Sequence, residues 1–543
     1  MTPKDVQSLL EDHDRYWERK QDEQERLRDI YETRFYDQPD AEDGQIQVQT
    51  SDAFGHVESY VGQLYAKNPA CVVRPGMRKL GNAELSQRIA NQFLSEHARD
   101  AVEHASRLGL IHPMGWLKLV PCESNDVYEM LLPVAVPPWE VIVDMDAPSW
   151  VKSRYVGHVY WMPLTEAKET WGSKRKWLAR EKGDYFRRDA AEDNSARTRP
   201  TVPVTKFDKY VRIVEFYDFT DNKLYFWTPD MEGDNRFIDK GDIPFKSWNG
   251  RPISTLVPFI FSTMPHKPME GYSTLRRVYD QLYEKNIVRS YQASAVRKVA
   301  RQYLMRAGAF DEEGQGHVRS GIDGLFISVE LDPGERLTEV VAPIPHTPPP
   351  AETSRYVDEV MSDQHSSTNQ DPFARGQGLG GRASAAEVAA LVSYSASGLG
   401  NMARKRDAAI EELVRVYLAA MSTFVDNKTV PVDLDGASVV AQPSDLLGDF
   451  KVFAEDEGQT PVSEAMRQQQ FLMNVPTLQA LGASREWLLE QAGVFLGFDE
   501  IPSEPPPPEA PVGPLDAGQP SGSPGEAVAS AGPEDIAGMM GDL

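Results

Sequence analysis

Residues 273–306 read STLRRVYDQLYEKNIVRSYQASAVRKVARQYLMR and form the strongest helical pattern of the chain. Apolar side chains recur there at three- and four-residue spacing, and no glycine or proline interrupts them. Because this spacing gives a helix one apolar side, we predict a single helical rod of about 50 Å. Eight basic side chains stand against two acidic ones, which gives this stretch a net charge of +6. These charges either face solvent or pair with acidic groups of an adjacent subunit.

A β-rich stretch precedes this helix. Residues 190–262 contain short apolar runs, and Tyr210–Phe219 and Lys223–Trp227 flank a three-residue turn as the strands of a β-hairpin do. Further upstream, a short helix is predicted from Thr165, and a basic segment, Lys174–Arg188, follows it. Two helices therefore flank a β insertion.

A polar, glycine-rich stretch lies downstream between two further helices. Ser366–Arg382 separates a helical pattern at Arg355–Met361 from a long alanine-rich one at Ser384–Met421. Two strand-like runs between 325 and 341 come before it, and residues 461–498 return to helical spacing. Glycine-rich chain between helices is typical of a mobile loop, so we predict one here.

The first third of the chain mixes helices with strands. Its apolar patterns predict helices over 3–36, 51–67 and 83–109 and strands over 115–120, 130–136 and 141–144. We therefore expect an α+β protein.

Composition narrows the functional classes. The 543 residues leave room for two to four compact units, and a formal charge of −25 argues against a basic nucleic-acid clamp. Only Cys71 and Cys122 occur, which excludes a disulfide framework and suits a reducing compartment. We expect a soluble protein that no signal peptide exports and no membrane helix anchors. Residues 501–543 hold 10 prolines and 7 acidic but no basic side chains, so we expect this tail to be disordered.

The glycine-rich stretch resembles a cofactor loop only formally. Gly376, Gly378 and Gly381 satisfy G-x-G-x-x-G, but the polar residues upstream are not the buried strand that a dinucleotide site requires. A flexible loop is the favoured interpretation. No Gly-Lys dipeptide occurs in the chain, so the P-loop that binds ATP phosphates is absent.

No catalytic or metal-binding arrangement is evident in the sequence. The ten histidines are scattered without a close pair, and no G-x-S-x-G elbow is present. Asp144 and Asp146 could bind a hard cation, although such residues after a strand are more often turn formers. We therefore expect a protein that is not an enzyme and that uses no cofactor.

Five stretches, in order, resemble the portal proteins of tailed double-stranded DNA bacteriophages and related gene transfer particles. They are Val57–Pro69 (VESYVGQLYAKNP), Gly109–Leu119 (GLIHPMGWLKL), Val134–Ala147 (VAVPPWEVIVDMDA), Pro258–Gln302 and Gly380–Leu391 (GGRASAAEVAAL). The resemblance covers residues 50 to 400. It implies a portal-like α+β subunit with an α/β wing, a two-helix stem, a β-rich clip and a helical crown, assembled as a dodecameric ring at one capsid vertex.

The resemblance also implies a map of the chain. That map is a charged N-terminal helix (1–43), the first part of the wing (44–162), a stem helix (163–182), the clip (183–262), a second stem helix (263–306), the second part of the wing (307–455) with a tunnel loop (366–383), the crown (456–500) and the tail (501–543).

Two sets of site residues follow from this map. The tunnel loop would face DNA in the channel through Asp371, Phe373, Arg375, Gly376, Gly378, Gly380, Gly381 and Arg382. The junction of stem and clip would dock partners through Lys174, Arg175, Lys176, Arg187 and Arg188. The implied partners are further copies of the chain, the large terminase, the major capsid protein, a scaffolding protein, a head-completion or adaptor protein, and double-stranded DNA.

The implied role is DNA packaging and genome ejection through a head-tail connector in the virion, after assembly in the host cytoplasm. Simpler interpretations stay open for both sets. The basic cluster is otherwise a solvated face, and the glycine-rich stretch a surface loop without DNA contact. The protein as a whole is otherwise another virion component, such as an adaptor or tail protein, or an enzyme with an unrecognised site.

Overall fold

The computed structural model describes most of the chain up to residue 454. The described residues are 1–36, 46–65, 68–78, 80–122, 128–172, 184–185, 209–229, 236–299, 303–305, 334, 336, 341–343, 351–368, 385–424, 430–434, 437–454 and 475. All but the last lie in the first of two compact units, Met1–Met466 and Arg467–Leu543. Runs of helices and runs of antiparallel strands share this unit, which confirms the expected α+β class. The predicted crown and tail lie outside the described residues, apart from Val475.

The largest sheet is antiparallel and joins strands that the sequence map assigned to different regions. Its order is β4 (Val141–Val143), β5 (Tyr155–Pro163), β7 (Lys209–Asp218), β8 (Lys223–Trp227) and β9 (Asp239–Asp242), and the short β6 (Asp184–Tyr185) also pairs with β7. The predicted hairpin is confirmed as β7 and β8. Nine residue pairs join β5 to β7, so residues mapped to the wing and to the clip form one sheet.

A second sheet lies in the order β10 (Leu256–Phe259), β2 (Gly115–Pro121) and β3 (Leu131–Val136). It packs on the helical segment formed by α3 (Ala83–Gln92), a π-helix (Phe93–Ala98) and α4 (Arg99–Ile111). At Gly115 a Cβ atom would come within 1.9 Å of the Ala105 carbonyl oxygen, so only glycine lets β2 lie this close to α4.

The N-terminal helix α1 (Pro3–Tyr31) is bound to the body of its own chain. A capping box between Thr2 and Asp5 starts it. Three successive parts of its apolar side join three different core clusters, through Val6 and Leu10, Trp17, and Leu27 and Ile30. Ion pairs from Asp14 to Arg212 and from Lys20 to Glu270 add to this attachment. The helix ends five residues before the predicted end.

The predicted rod at 273–306 is wrong at both ends. The helix itself, α6, covers only Tyr279–Val299 and is about 30 Å long. The residues that precede the predicted rod, 263–271, form a hairpin of β11 (Thr263–Met264) and β12 (Lys267–Gly271). The Ser273 and Thr274 hydroxyls donate to the Ile111 and Leu110 carbonyls, which holds the backbone before α6 out of the helix. Beyond α6, β13 (Tyr303–Met305) pairs with β14 (Val341–Pro343).

Two further helices complete the core. α7 (Ala351–Thr368) packs on α6 and extends into the residues predicted to begin the polar loop. α8 (Ala385–Phe424) confirms the predicted long helix and places the Tyr417 ring on that of Phe93, with centroids 3.8 Å apart.

The remaining elements are short, and one of them joins distant parts of the chain. They are α2 (Asp52–Leu64), β1 (Cys71–Pro75), α5 (Leu164–Trp171), β15 (Val430–Leu434), β16 (Ala437–Ala441), α9 (Pro443–Leu446) and β17 (Phe450–Ala454). β1 pairs antiparallel with β17, which ties the start of the core to its end. Among the described helices, none has the length and apolarity needed to cross a bilayer.

Candidate functional site

All thirteen site residues named from the sequence lie outside the described residues, so both sets stay predictions. The tunnel-loop residues fall between the end of α7 at Thr368 and the start of α8 at Ala385. The stem-clip residues follow the end of α5 at Trp171 and flank β6. The described chain therefore locates the elements on either side of each set.

An exposed row of large side chains runs along α6. Tyr283, Ile287 and Tyr291 are 42%, 46% and 62% exposed and lie four residues apart, so they share one line along the helix. Tyr279 continues the row toward the core, with its ring parallel to that of Tyr283 at 6.5 Å. We call Tyr283, Ile287 and Tyr291 the α6 ridge. Within the described part of the chain, neither ridge hydroxyl has a hydrogen-bond partner.

A hydrogen-bond ladder fixes another side of α6. The backbone amides of Thr50, Val48 and Ile46 donate to Asn286 Oδ1, Ser290 Oγ and Ser294 Oγ at 3.0, 2.8 and 2.8 Å. Two extended residues span about 6.7 Å and four helical residues about 6 Å, so the two repeats stay in register. The ladder holds α6 firmly while its ridge stays exposed.

Two of the basic side chains in this region are satisfied within the chain. Lys285 Nζ lies 2.7 Å from Asp52 Oδ2, and Arg276 lies 3.4 Å from Glu23. Burial by itself would raise the pKa of Asp52, but hydrogen bonds from Lys285 and Thr50 bring it below its ordinary value. The buried Lys285 is therefore not available to pair with another molecule, whereas the Arg276 guanidinium is still exposed and its pair with Glu23 is weak.

A buried ionic cluster joins the two sheets. Lys118 Nζ on β2 donates to Glu215 Oε2 on β7 at 2.6 Å and to His158 Nδ1 on β5 at 2.9 Å. Tyr217 donates to the other Glu215 oxygen at 2.6 Å. Because an ammonium group can only donate, His158 Nδ1 must be the acceptor, and the ring is neutral with its proton on Nε2. Burial and the nearby Lys118 charge both lower the pKa of His158.

Glu140 lies at the edge of this cluster. Its Oε2 is 3.9 Å from His158 Nε2, too far for a hydrogen bond, and burial raises the pKa of the carboxyl to about 7. The members of the cluster come from four separate strands and turns without a motif. Lys118 within WLKLV and Glu215 within IVEFY, charges inside apolar strands, are the signals that could have revealed it.

One carboxylate of the pair considered for a cation already binds an arginine. Asp144 accepts two hydrogen bonds of 2.7 Å from the Arg154 guanidinium and one of 3.1 Å from its backbone amide. These contacts lower the pKa of Asp144. In the ranges that the structure covers, no group of three or more His, Cys, Asp or Glu side chains could hold a metal ion.

Two other histidines are buried and hydrogen-bonded. His13 Nε2 is 2.9 Å from the Trp139 carbonyl oxygen, and His112 Nδ1 is 2.7 Å from Gln24 Oε1. Burial lowers their pKa values to about 4 and about 3. Both are neutral packing residues near neutral pH, as expected for scattered histidines.

No protein-family model matches the chain, and no curated protein matches it. The solved structures that are similar over most of their length include three from gene transfer agent particles. The first is the virion of a native gene transfer agent particle, with a TM-score of 0.42 and 11% identity over 87% of this chain and 93% of that chain. The second is the neck of the native particle computed with C12 symmetry, with a TM-score of 0.35 and 13% identity over 82% of this chain and 89% of that chain. The third is the neck of the empty particle computed with C6 symmetry, with a TM-score of 0.39 and 11% identity over 82% of this chain and 90% of that chain. TM-scores below 0.5 do not establish a shared fold.

Proposed function

We propose that this chain is a ring-forming structural subunit of a phage-like particle. The α6 ridge carries the assembly part of the proposal, because three large side chains are left in water on a helix whose other side is fixed by hydrogen bonds. The phage-like part rests on the five sequence stretches that resemble portal proteins. Covering them gains about 1 kcal/mol for each half-exposed side chain. A second copy of the chain is the partner that every molecule of this protein has available.

The more specific proposal is a portal subunit. Its support is the order of the five sequence stretches that resemble portal proteins. In this role, twelve copies form a channel for DNA packaging and ejection, and the ring docks the terminase, the capsid and the head-tail connector. The sequence has no P-loop, so in this role the packaging motor is a separate ATPase, and the proposed role of the chain itself is that of a passive channel.

Two alternatives remain as outcomes of the test. An adaptor or tail component would also form rings, but terminase would not bind to them. An enzyme would need an accessible site. The buried ionic cluster is the strongest candidate, and none of its residues lines the cavity of about 310 Å³ beside α8.

The test is the assembly state of the purified protein. Negative-stain microscopy should show rings with a central hole, and mass photometry a species near about 730 kDa, twelve times the 60.7 kDa chain. Monomers alone from low salt to about 0.5 M salt would contradict ring formation. ATP hydrolysis by the pure protein would contradict the passive role.

The ridge variant I287E/Y291E sharpens this test. It places two charges on the ridge and should give monomers, because covering the ridge would then bury unpaired charge. The matched control is V134E, at an equally exposed apolar position on β3, which should leave rings intact. If the ridge variant still forms rings, the ridge is not needed for assembly, and the proposal loses its structural support.

A further inference from the structure

A second apolar surface lies on a different part of the same unit. It is a cavity of about 310 Å³ between α8, the residues before β17, the turn at 247–254 and the loop after β4. Aromatic side chains line it, and Leu447 and Val151 stand on its rim, 38% and 52% exposed. We call this surface the groove, and its aromatic residues are Trp150, Phe219, Trp248 and Phe450.

Six of the twenty residues that line the groove are polar or charged, namely Ser247, Asn249, Arg251, Ser254, Glu412 and Arg415. Glu412 and Arg415 of α8 pair with each other at 3.2 Å, and Arg251 donates to the Val151 carbonyl. The guanidinium of Arg78 covers one face of Trp248 at 5.1 Å. A concave, mostly apolar surface that includes aromatic rings and some polar groups fits a ligand that is apolar along its body and carries hydroxyl groups at its ends.

The α6 ridge has that chemistry. It is convex and apolar, and the two tyrosines end in hydroxyl groups that have no partner in the described ranges. Tyrosine is also the residue type that is enriched at the energetic centres of interfaces. No residue of the ridge lines the groove, so one chain can use both surfaces at the same time.

Ring symmetry requires two such surfaces. In a cyclic ring of more than two copies, each subunit meets one neighbour through one face and the other neighbour through a different face. We propose that the α6 ridge of one copy binds in the groove of the next copy, so that head-to-tail contacts close the ring. This inference rests on the proposed function and names the acceptor face that the ridge needs.

A mixing experiment tests the pairing. The ridge variant I287E/Y291E keeps its groove, and the groove variant V151E/L447E keeps its ridge. Each should be monomeric alone, with association weakened at least about 100-fold. Mixed in equal amounts, they should form heterodimers of about 120 kDa and nothing larger, because the two remaining faces are blocked. V134E is the control and should form rings.

The outcomes separate this inference from the proposed function. If the groove variant forms rings like the unaltered protein, the groove is not the acceptor, although ring formation stands. If the unaltered protein never assembles, the proposed function itself fails. All four substituted positions are at least about a third exposed, so folding should persist, which thermal melting of each variant checks.

Disulfide trapping gives an independent result if a double variant misfolds. Cys71 is buried, and replacing the exposed Cys122 by serine leaves a background without reactive thiols. In that background, I287C mixed with L447C should give covalent dimers under mild oxidation, and neither should do so alone. Dimers from I287C alone would show that two ridges meet, which would overturn the inference. Rings without any trapped dimer would overturn it as well.

Discussion

Two regions of this chain reverse the usual placement of polar and apolar side chains. At the junction of the sheets, Lys118, Glu215 and His158 are buried, whereas the α6 ridge leaves large apolar side chains in water. The buried charges satisfy one another within 2.9 Å in a single chain. The ridge has no comparable partner in the described part of the chain. One region pairs its charges within the chain, and the other leaves its apolar side chains uncovered.

Loose attachment does not explain why the ridge is exposed. α3 is fixed by the same kind of ladder, because Gln87 and Asn91 accept hydrogen bonds from the amides of Val73 and Cys71 at 2.9 and 2.8 Å. α3 buries its apolar side, including Ile89, in the core. The two helices thus share a mode of attachment and differ in what covers their apolar side. The ridge is therefore exposed because no other described element packs over that side of α6, and not because α6 is loosely attached.

The largest effect on subunit stability is expected from Lys118→Met. It leaves the buried Glu215 carboxylate without its cation, which should lower the free energy of unfolding by about 3–5 kcal/mol. Denaturant unfolding of the dispersed subunit measures this loss. The double variant K118M/E215L should recover most of it. If K118M is as stable as the unaltered protein, the cluster does not join the sheets.

A smaller, pH-dependent effect is expected from Glu140→Gln. Burial raises the pKa of Glu140 to about 7 from an unfolded value of 4.5, so the folded state loses stability as pH rises through that interval. Glutamine cannot ionise, so it removes the cost of a buried carboxylate. E140Q should be more stable than the unaltered protein by about 3 kcal/mol at about pH 8 and equally stable at about pH 4.

The control for this prediction is Glu166→Gln at an exposed position of α5, which should show no pH-dependent gain. Thermal melting at the two pH values gives the comparison. An equal effect of E140Q at both pH values would show that folding does not raise the pKa of the Glu140 carboxyl.

Removing two rungs of the α6 ladder should cost less. In S290A/S294A the amides of Val48 and Ile46 lose their acceptors, but these residues are half-buried and water can replace the hydroxyls, so a loss of about 1–2 kcal/mol is expected. Hydrogen exchange should speed up at these two amides and not at the amides of Cys71 and Val73. Unchanged exchange at Ile46 and Val48 would show that the ladder does not hold the segment.

The smallest effect on stability is expected from the ridge itself. I287E/Y291E should change the free energy of unfolding of the monomer by less than about 0.5 kcal/mol, because exposed substitutions rarely do more. Assembly should nevertheless be lost. A large loss of monomer stability would mean that the ridge packs within its own chain, which would end the contrast between the two regions.

The sequence by itself determined the elements that local patterns encode. The apolar spacing of α1, α2 and α8 and the turn between β7 and β8 were sufficient to predict them, and the α+β class followed. The thirteen predicted site residues lie outside the described ranges. Their assignment therefore rests on the sequence resemblance alone.

Only the tertiary structure decided where α6 begins, which strands share a sheet and which side chains form the buried cluster. The acceptors for Ser273 and Thr274 are carbonyls more than 160 residues away, and Lys118 meets Glu215 across 97 positions. Local periodicity reports the preferences of a segment, whereas such contacts form only when distant segments pack together. The exposure of the ridge belongs to the same class, because a helical pattern shows that a side is apolar and only packing shows what covers it.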